Sequence, residues 1–329
     1  MSLLPDPSAP LDAATAAGAF GAMLDGAPSD AEIAAFLVAL SDRGETAIEI
    51  AAAAQAMRDR MIAIRAPADA IDVCGTGGDG LHTLNVSTAV ALVVAACEVP
   101  VAKHGNRAAT SLAGGADTLE ALGLDLDRAS RDAEATLGDL GICFLFAQTH
   151  HPALARIGPI RKALGRRTIF NLLGPLANPA NVTRQLVGIA RVDYAPLYAE
   201  AMQRIGMHRA MIVSGEDGMD ELSLSAGNRV TDLSRGGIES YALSGTDAGL
   251  PSYPAEAIRG GDAAYNAAAL RRLLLGETGA YRDAVLFNAG AALMVAGHAA
   301  DIVSGVEEAA EAIDKGLAHA LLNCWIAYT

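Results

Sequence analysis

A glycine-rich segment, GTGGDG at residues 75–80, follows a short apolar run that ends at Cys74. Glycine lets a backbone turn tightly and approach a phosphate group closely. The segment fits the G-x-G-x-x-G pattern of a dinucleotide site, and Glu98 lies about 20 residues further on, as that pattern requires. In a dinucleotide fold the helix opens within the glycines, whereas here we predict that it begins at Ser87 and Thr88. The segment therefore favours a phosphate-binding loop followed by a separate helix N-terminus.

A second polar cluster, KHGNR at residues 103–107, directly follows the apolar run VPVA. Ligands of open α/β sheets bind beyond the carboxyl ends of the strands. Lys103 could meet a phosphate there as a point charge and Arg107 as a bidentate fork. The chain contains only three lysines, Lys103, Lys162 and Lys315, so this one is not part of a lysine-rich surface.

Adjacent carboxylates, Asp220 and Glu221, follow a third predicted strand, RAMIVSG. Carboxylate oxygens suit Mg²⁺, which typically takes one or two carboxylates together with phosphate oxygens of a substrate. An isolated acid pair is more often solvated surface. Two candidate phosphate-binding loops in the same chain favour a metal site instead.

The charges are unevenly distributed along the chain. Residues 99–116 and 140–192 contain no acid and together carry +9, so the remainder carries −23 and the net charge is −14. If the two windows converge, an acidic protein contains a cationic pocket, in which Arg161 is a candidate clamp for a carboxylate. The net charge argues against nucleic acid and anionic membranes as partners.

Other catalytic motifs are missing from the sequence. His150 and His151 are adjacent and lack the further ligands of a zinc site, so we do not predict metal binding by this pair. The sequence contains no G-x-S-x-G, H-E-x-x-H or P-loop G-K-[ST] motif. These patterns therefore give no support to a serine hydrolase, a zinc protease or a P-loop enzyme.

The pattern of elements predicts two units. Apolar spacing and a capping box of Ser29 and Glu32 indicate three helices in the first 64 residues. From Ala70 onward, short β-like runs alternate with helices, as in a mainly parallel sheet. We predict strands at 71–74, 99–102, 143–146, 186–189 and 210–214, with helices at 87–97, 115–122, 132–137, 194–205, 263–275, 282–296 and 306–322. The turn-rich segment 171–179 is a candidate crossover between the units.

The four cysteines have no C-x-x-C spacing and are too sparse for a disulfide framework. The N-terminus lacks the basic and apolar regions of a signal peptide, and no apolar run is long enough to span a bilayer. We therefore expect a cytoplasmic protein that does not interact with membranes.

Several motifs in register resemble the anthranilate phosphoribosyltransferases. They are GTGGDG, NVST, AKHGNR, ADTLEALG, CFLFA with the two histidines, RTIFNLLGPLANP and GMDELSL, which span about residues 71–224, with a looser match at FNAGAAL. The resemblance implies the nucleoside-phosphorylase/phosphoribosyltransferase fold. It comprises a small helical domain at 1–66, joined by a crossover near 166–182, and a larger α/β domain with a mainly parallel sheet at 67–329. It also implies a homodimer that pairs through the helical domain.

The same resemblance implies an activity and a set of site residues. The phosphoribosyl group of phosphoribosyl pyrophosphate (PRPP) would be transferred to the amine of anthranilate, giving N-(5-phosphoribosyl)anthranilate and pyrophosphate in tryptophan biosynthesis. PRPP would meet Gly75, Gly78, Asp79, Thr83, Asn85, Val86, Ser87, Thr88, Lys103, His104, Gly105, Asn106, Arg107, Ala108, Ala109, Thr110 and Ser111. Two Mg²⁺ ions are implied, one on Ser87 and Glu221 and one on Asp220 and Glu221. Anthranilate would meet Gly75, Asn106 and Arg161, and His104 is a candidate for moving a proton.

One segment departs from the family pattern. The family usually has Ser-Ser-Lys-Ser-Gly-Ser-Ala-Asp after KHGNR, whereas residues 110–117 here read TSLAGGAD. Leu112 removes a cation, and Ala113 and Gly115 each remove a hydroxyl. A lost charge-assisted hydrogen bond costs about 1.5 to 3 kcal/mol, so we expect PRPP to bind roughly tenfold or more weakly.

Three alternatives remain open at this stage. A pyrimidine nucleoside phosphorylase of the same fold would need a phosphate site, with which Gly114 and Gly115 are compatible. A non-catalytic relative that binds nucleic acid disagrees with the net charge. A dinucleotide oxidoreductase depends on the glycine pattern alone.

Overall fold

The computed structural model describes residues 3–108 and 112–328. Within these ranges the strands are β1 (Ile71–Gly75), β2 (Val101–Gly105), β3 (Ile142–Phe146), β4 (Arg184–Gly188), β5 (Arg209–Gly215), β6 (Asn228–Ser234) and β7 (Gly237–Leu243). They form one sheet in the order β3-β2-β1-β4-β5-β6-β7. The first five strands in this order are parallel, and β6 and β7 are antiparallel. The prediction of a mainly parallel sheet is confirmed.

Helices surround this sheet and form a separate bundle at the N-terminus. In the described ranges they are α1 (Ala13–Leu24), α2 (Asp30–Arg43), α3 (Ala47–Arg58), α4 (Val86–Ala96), α5 (Gly115–Leu122), α6 (Leu126–Arg131), α7 (Ala133–Leu140), α8 (Ala147–His150), α9 (Leu154–Leu164), α10 (Ala195–Arg204), α11 (Ala263–Leu274), α12 (Ala280–Ala296), α13 (Ile302–Asp314) and α14 (Leu317–Ile326). No helix in the described part of the chain is long and apolar enough to cross a membrane.

Side chains alternate along each strand, so the two faces of the sheet pack into different cores. On β5, Met211 and Val213 join the core that contains α4 and α12. Ala210 and Ile212, on the opposite face, join the core that contains α1, α2 and α3. The sheet therefore separates a core of its own crossover helices from a core that it shares with the N-terminal bundle.

The N-terminal bundle includes parts of the chain that are distant in sequence. The predicted capping box at the start of α2 is confirmed, because Ser29 and Glu32 bond reciprocally. From α9, the Arg156 guanidinium donates to the carbonyl oxygens of Gly26 and Pro28, at 2.6 and 2.7 Å. Residues 165–167, directly after α9, line a cavity at the edge of the sheet. The segment that packs on the bundle therefore contributes side chains to that cavity. The domain boundary at residue 66 stays a prediction.

Several elements differ from the predictions. Helices α6, α8 and α9 were not predicted, and three further differences concern a boundary, a break and a hairpin. Strand β2 begins at Val101 and continues to Gly105, because Lys103 and His104 find partners inside the sheet and need not end it. The single helix predicted at 306–322 is two helices, which are separated at Gly316, where φ is +71°. The hairpin of β6 and β7 was not predicted; the residues of β7 are mostly exposed, so they carry little apolar alternation.

Candidate active site

A cavity of about 910 Å³ lies at the carboxyl edge of the parallel strands. The central strands β1 and β4 end at Gly75 and Gly188, and a Cβ on either glycine would collide with Asp220. These two glycines therefore let a carboxylate from the loop after β5 pack against the ends of neighbouring strands. The predicted site residues on the cavity wall are Gly75, Gly78, Asp79, Thr83, Asn85, Ser87, Asn106, Arg107, Ala108, Arg161, Asp220 and Glu221. Val86, Thr88, Lys103, His104 and Gly105 are not on this wall, and Ala109, Thr110 and Ser111 lie outside the described residues.

The glycine loop is shaped by backbone conformations that favour glycine. Gly77, Gly78 and Gly80 have φ between +69° and +78°, which costs residues with a side chain more than glycine. A hydrogen bond fixes the loop to the segment after β5, because the Gly77 amide donates to Oδ2 of Asp220 at 2.6 Å. Helix α4 begins only at Val86, so the helix does not open within the glycines as a dinucleotide site requires.

Three neighbouring carboxylates, which we call the acidic floor, line the cavity at this loop: Asp79 within the loop, and Asp220 and Glu221 from the segment after β5. Burial and the neighbouring Asp79 raise the pKa of Asp220 to about 6. Burial, with Asp220 and Asp79, also raises the pKa of Glu221 well above its usual value. Glu221 Oε1 accepts a hydrogen bond of 3.1 Å from the Ser87 amide at the start of α4. The acidic floor thus concentrates negative charge that the protein itself compensates poorly.

Lys103 supports the acidic floor from inside the sheet. Its side chain is on the α4 face of β2 and is only 3% exposed. Its ammonium donates to the Val73 carbonyl at 2.7 Å and to Ser87 Oγ at 3.2 Å. Burial lowers the pKa of Lys103, while Asp72 opposes that shift. The predicted direct contact of Lys103 with phosphate is therefore not supported. Lys103 instead holds Ser87 from behind the cavity wall.

His104 lies on the opposite face of β2, away from the cavity. Its Nδ1 donates to the Gly174 carbonyl at 2.9 Å, and its ring is 5.1 Å from that of His151. Burial lowers the pKa of His104 to about 3, with His151 adding to the shift. The suggestion that His104 moves a proton from the substrate is not supported, because consecutive strand residues face opposite ways.

Arg107 is on the cavity wall, but its charge is already paired. The guanidinium bonds Asp117 at 3.0 Å and Glu120 at 2.7 Å, both from α5. The Ala108 amide also donates to Asp117. The predicted bidentate phosphate contact of Arg107 is thus replaced by an ion-pair cluster with two carboxylates of α5. Nearby, Ala113 and Gly115 line the cavity, whereas Leu112 is 68% exposed.

Both acid-free windows converge on the cavity, as the charge pattern suggested. The cavity is also lined by the cationic wall, which consists of Arg161, Lys162, Arg166 and Arg167. Arg166 pairs with Asp42 of α2, and Arg167 donates to the carbonyls of Gly77 and Gly78. Among the described residues no carboxylate pairs with Arg161, which stacks at 6.0 Å over Phe170, or with Lys162.

His150 and His151 do not form a metal site with other ligands. His150 Nδ1 is 2.7 Å from the Ile62 carbonyl. Burial lowers the pKa of His151 to about 4. Over residues 3–108 and 112–328, no group of three histidine, cysteine, aspartate or glutamate side chains is arranged to hold a metal ion by itself. Any cation at the acidic floor would therefore need other oxygen ligands.

Lys162 and Arg167 line the cavity but were not predicted as site residues from the sequence. Both lie in the acid-free window of residues 140–192, so the charge pattern contained the signal. Their spacing gave no reason to choose them over other cations in that window. Two contacts with α2 position Arg167 to reach the glycine loop. Ser41 Oγ donates to the Arg167 carbonyl, and the Asp42 carboxylate pairs with the neighbouring Arg166.

Comparison with known proteins gives consistent results along the chain. A family model described as a glycosyl transferase family a/b domain matches residues 67–319, and one described as the helical bundle domain of that family matches residues 7–61. The chain is 70% identical over 324 residues to the anthranilate phosphoribosyltransferase of Sphingopyxis alaskensis, covering 98% of each sequence.

Two solved structures are similar to the chain. One is the anthranilate phosphoribosyltransferase of Thermus thermophilus, with a TM-score of 0.91 and 44% identity, covering 97% of this chain and 96% of that one. The other is the Saccharomyces cerevisiae enzyme in complex with PRPP and Mg, with a TM-score of 0.88 and 27% identity, covering 96% and 93%.

Proposed function

The chain belongs to the anthranilate phosphoribosyltransferases of the glycosyl transferase family, and we propose that it transfers the phosphoribosyl group of PRPP to the amine of anthranilate. The products are N-(5-phosphoribosyl)anthranilate and pyrophosphate, a step of tryptophan biosynthesis. One observation carries the proposal: a single cavity joins the glycine loop, the acidic floor and the unpaired Arg161. Family membership does not favour the phosphorylase or the nucleic-acid-binding alternative.

We assign PRPP to the side of the cavity formed by the α/β domain. The assigned contacts are those on the cavity wall: Gly75, Gly78, Asp79, Thr83, Asn85, Ser87, Asn106, Arg107 and Ala108. Val86, Thr88, Lys103, His104 and Gly105 are not on this wall and are not assigned as direct contacts. The positive end of the α4 dipole and the amides of the glycine loop favour the phosphate groups. Lys103 contributes through Ser87, which it holds at 3.2 Å. The assignment extends to residues 109–111 by family resemblance alone.

Two Mg²⁺ ions are proposed at the acidic floor, held by Ser87 and Glu221 and by Asp220 and Glu221. The residues fit such ions, because buried carboxylates with raised pKa values lose repulsion when a divalent cation is added. The relative from yeast was solved with PRPP and Mg, which supports the metal but not the number of ions. When bound, Mg²⁺ would neutralise charge that accumulates on the pyrophosphate leaving group.

We assign anthranilate to Gly75, Asn106 and Arg161. Arg161 projects into the cavity from α9, and its guanidinium is free to form a bidentate contact with the anthranilate carboxylate. Asn106 Oδ1 accepts from the Arg107 amide at 2.8 Å, which leaves the Asn106 amide group to donate. The acceptor would then be held between the cationic wall and the glycine loop.

The chemistry proposed needs orientation more than a strong base. An aromatic amine is neutral at pH 7, so its lone pair can attack C1 of the ribose once the two substrates are aligned. The bond from C1 to pyrophosphate breaks as the ribose gains oxocarbenium character. Negative charge then grows on pyrophosphate, next to the glycine-loop amides and the N-terminus of α4. No described residue is assigned to remove the amine proton.

The assembly and location of the protein are also proposals. The homodimer through the helical domain rests on the family resemblance, and light scattering of the purified protein would measure its mass. A cytoplasmic location is supported by the four cysteines, all of which are free thiols in the described structure.

The activity is tested by the loss of anthranilate fluorescence in the presence of PRPP and Mg²⁺. We expect fluorescence to fall only when all three components are present and to stop falling when EDTA is added. A known anthranilate phosphoribosyltransferase is the positive control. If that enzyme consumes anthranilate while this protein does not, the proposed function is wrong.

A further inference from the structure

The loop that carries Asp220 and Glu221 is anchored by a residue from a distant helix. Asn288, in the middle of α12, is 3% exposed. Its Oδ1 accepts from the Leu222 amide at 2.9 Å, and its Nδ2 donates to the Leu222 carbonyl at 3.0 Å. Nδ2 also donates to the Ala284 carbonyl at 2.9 Å. The side-chain amide therefore pairs with both polar groups of the residue directly after Glu221.

This contact differs from the other anchors of the loop. Asn228 holds the amide and carbonyl of Ser223, one residue further from the acids, at 2.6 and 3.0 Å. Asn228 is the first residue of β6, the strand that directly follows this loop, so its contact with Ser223 is local in sequence. Asn288 is instead fixed to α12, which packs against α4, the helix that carries Ser87. Asn288 also lines a small space with Ser87, Asp220 and Glu221.

We propose that Asn288 is a positioning residue that sets the Glu221 carboxylate against Ser87 and thereby the cation affinity of the acidic floor. Asn288 itself touches neither substrate nor metal in this proposal. The carboxylates of the floor repel each other, so the loop would open without an anchor behind it. A side-chain amide meets this need because it offers an acceptor to the N–H and a donor to the carbonyl of one residue, Leu222, without adding charge. The proposal rests on the metal role assigned to Asp220 and Glu221.

The decisive variant is Asn288→Asp, which keeps the shape of the side chain but replaces the donor with a carboxylate oxygen that faces the Leu222 carbonyl. The probe is Mn²⁺ in the presence of PRPP, with free Mn²⁺ followed by electron paramagnetic resonance. We expect the half-saturating Mn²⁺ concentration to rise about tenfold or more, since both hydrogen bonds that Nδ2 donates, to the Leu222 and Ala284 carbonyls, are lost and a repulsion with these carbonyls is added. The KM for anthranilate is expected to stay within about twofold, because Arg161, its assigned carboxylate contact, belongs to the cationic wall and not to the loop that Asn288 anchors.

The control is Val295→Ala, two turns further along α12, where Val295 is fully buried. This variant weakens the packing of the same helix but leaves the Leu222 contact intact, so its Mn²⁺ affinity should be unchanged. If Asn288→Asp does not fold, Asn288→Ser decides, because the serine hydroxyl adds no charge and ends about where the Asn288 Cγ lies, one bond short of the atoms that bond Leu222. The proposal is overturned if the folded variant binds Mn²⁺ like the wild type. It is equally overturned if Val295→Ala shifts Mn²⁺ binding as strongly.

A further pair of variants separates this proposal from the metal assignment. Asp220→Asn with Glu221→Gln should abolish Mn²⁺ binding. If that double variant binds Mn²⁺ normally, the metal assignment is wrong and the role of Asn288 fails with it. If the double variant loses Mn²⁺ and Asn288→Asp does not, only the positioning role is wrong.

Discussion

The acidic floor and the cationic wall line one cavity, yet they are built differently. The floor is partly buried; backbone amides hold two of its carboxylates, and Lys103 holds the neighbouring Ser87. The wall is more exposed, and Arg161 and Lys162 have no acidic partner among the described residues. A fixed negative site suits a small cation, whereas long cationic side chains can adapt to an arriving anion. The site thus has a rigid half and an adaptable half.

Removing the acidic floor should have the largest effect on activity. Asp220→Ala with Glu221→Ala is expected to lower the metal-dependent rate by roughly 10³-fold, because the charge on the leaving group loses its compensation. Anthranilate fluorescence with PRPP and Mg²⁺ measures the rate. Glu216→Gln, in the same loop but half-exposed and paired with Arg229, is the matched control and should keep its activity. Unchanged activity in the double variant would refute the metal assignment.

The two lysines of the site should differ in what they stabilise. Lys103→Met leaves Ser87 and the buried acids uncompensated, so we expect the free energy of unfolding to fall by roughly 3 kcal/mol. Lys162→Met removes an exposed charge and should leave stability within about 0.5 kcal/mol. Urea unfolding of both variants makes the comparison. Equal stability of the two variants would contradict the supporting role of Lys103.

Arg161 tests the adaptable half of the site. Arg161→Gln should raise the KM for anthranilate by about ten- to a hundredfold, since a charge-assisted contact contributes about 1.5 to 3 kcal/mol. The KM for PRPP should change much less. Arg166→Gln, whose partner Asp42 is on the helical side, serves as the comparison. Equal increases in both KM values for Arg161→Gln would mean that this residue does not select the carboxylate.

The pH dependence of stability should reveal the acidic floor. The folded pKa of Asp220 is raised to about 6, so its protonated form stabilises the fold below about pH 4, and this contribution is lost as the pH rises through about 6. The lowered pKa values of His104 and His151 act in the opposite direction, since their contribution is lost as the pH falls. The difference in unfolding free energy between wild type and Asp220→Asn isolates the carboxylate. A difference that does not vary between pH 4 and 7 would contradict the raised pKa.

The smallest expected effect is at Leu112. Leu112→Lys restores the cation that the family usually has, and it should lower the KM for PRPP by less than about fivefold, because exposed charges contribute at most about 1 kcal/mol. The gain should shrink with added salt. Leu112→Gln, which is polar but uncharged, is the control. An equal gain with glutamine would show that charge is not the cause.

Local patterns were sufficient for much of the fold and for half of the site. The capping box of Ser29 and Glu32 and the alternation of strands and helices after Ala70 depend on residues close in sequence. The glycine loop was also predictable, because its positive φ angles favour glycine whatever the rest of the chain does. The boundary of β2 was not predictable, because polar residues such as Lys103 and His104 after an apolar run are typical of a loop. Only the structure shows their partners inside the sheet, at Val73 and Gly174.

The sequence by itself determined which chemical groups the protein possesses: a glycine loop, an adjacent acid pair and an acid-free cationic window. Only the tertiary structure decided which of them remain available. It pairs Arg107 with Glu120 and leaves Arg161 without an acidic partner in the described residues. It also places Asn288 against Leu222 across 66 residues. Charge and backbone preference belong to single residues, whereas pairing and burial depend on distances that only the packed chain sets.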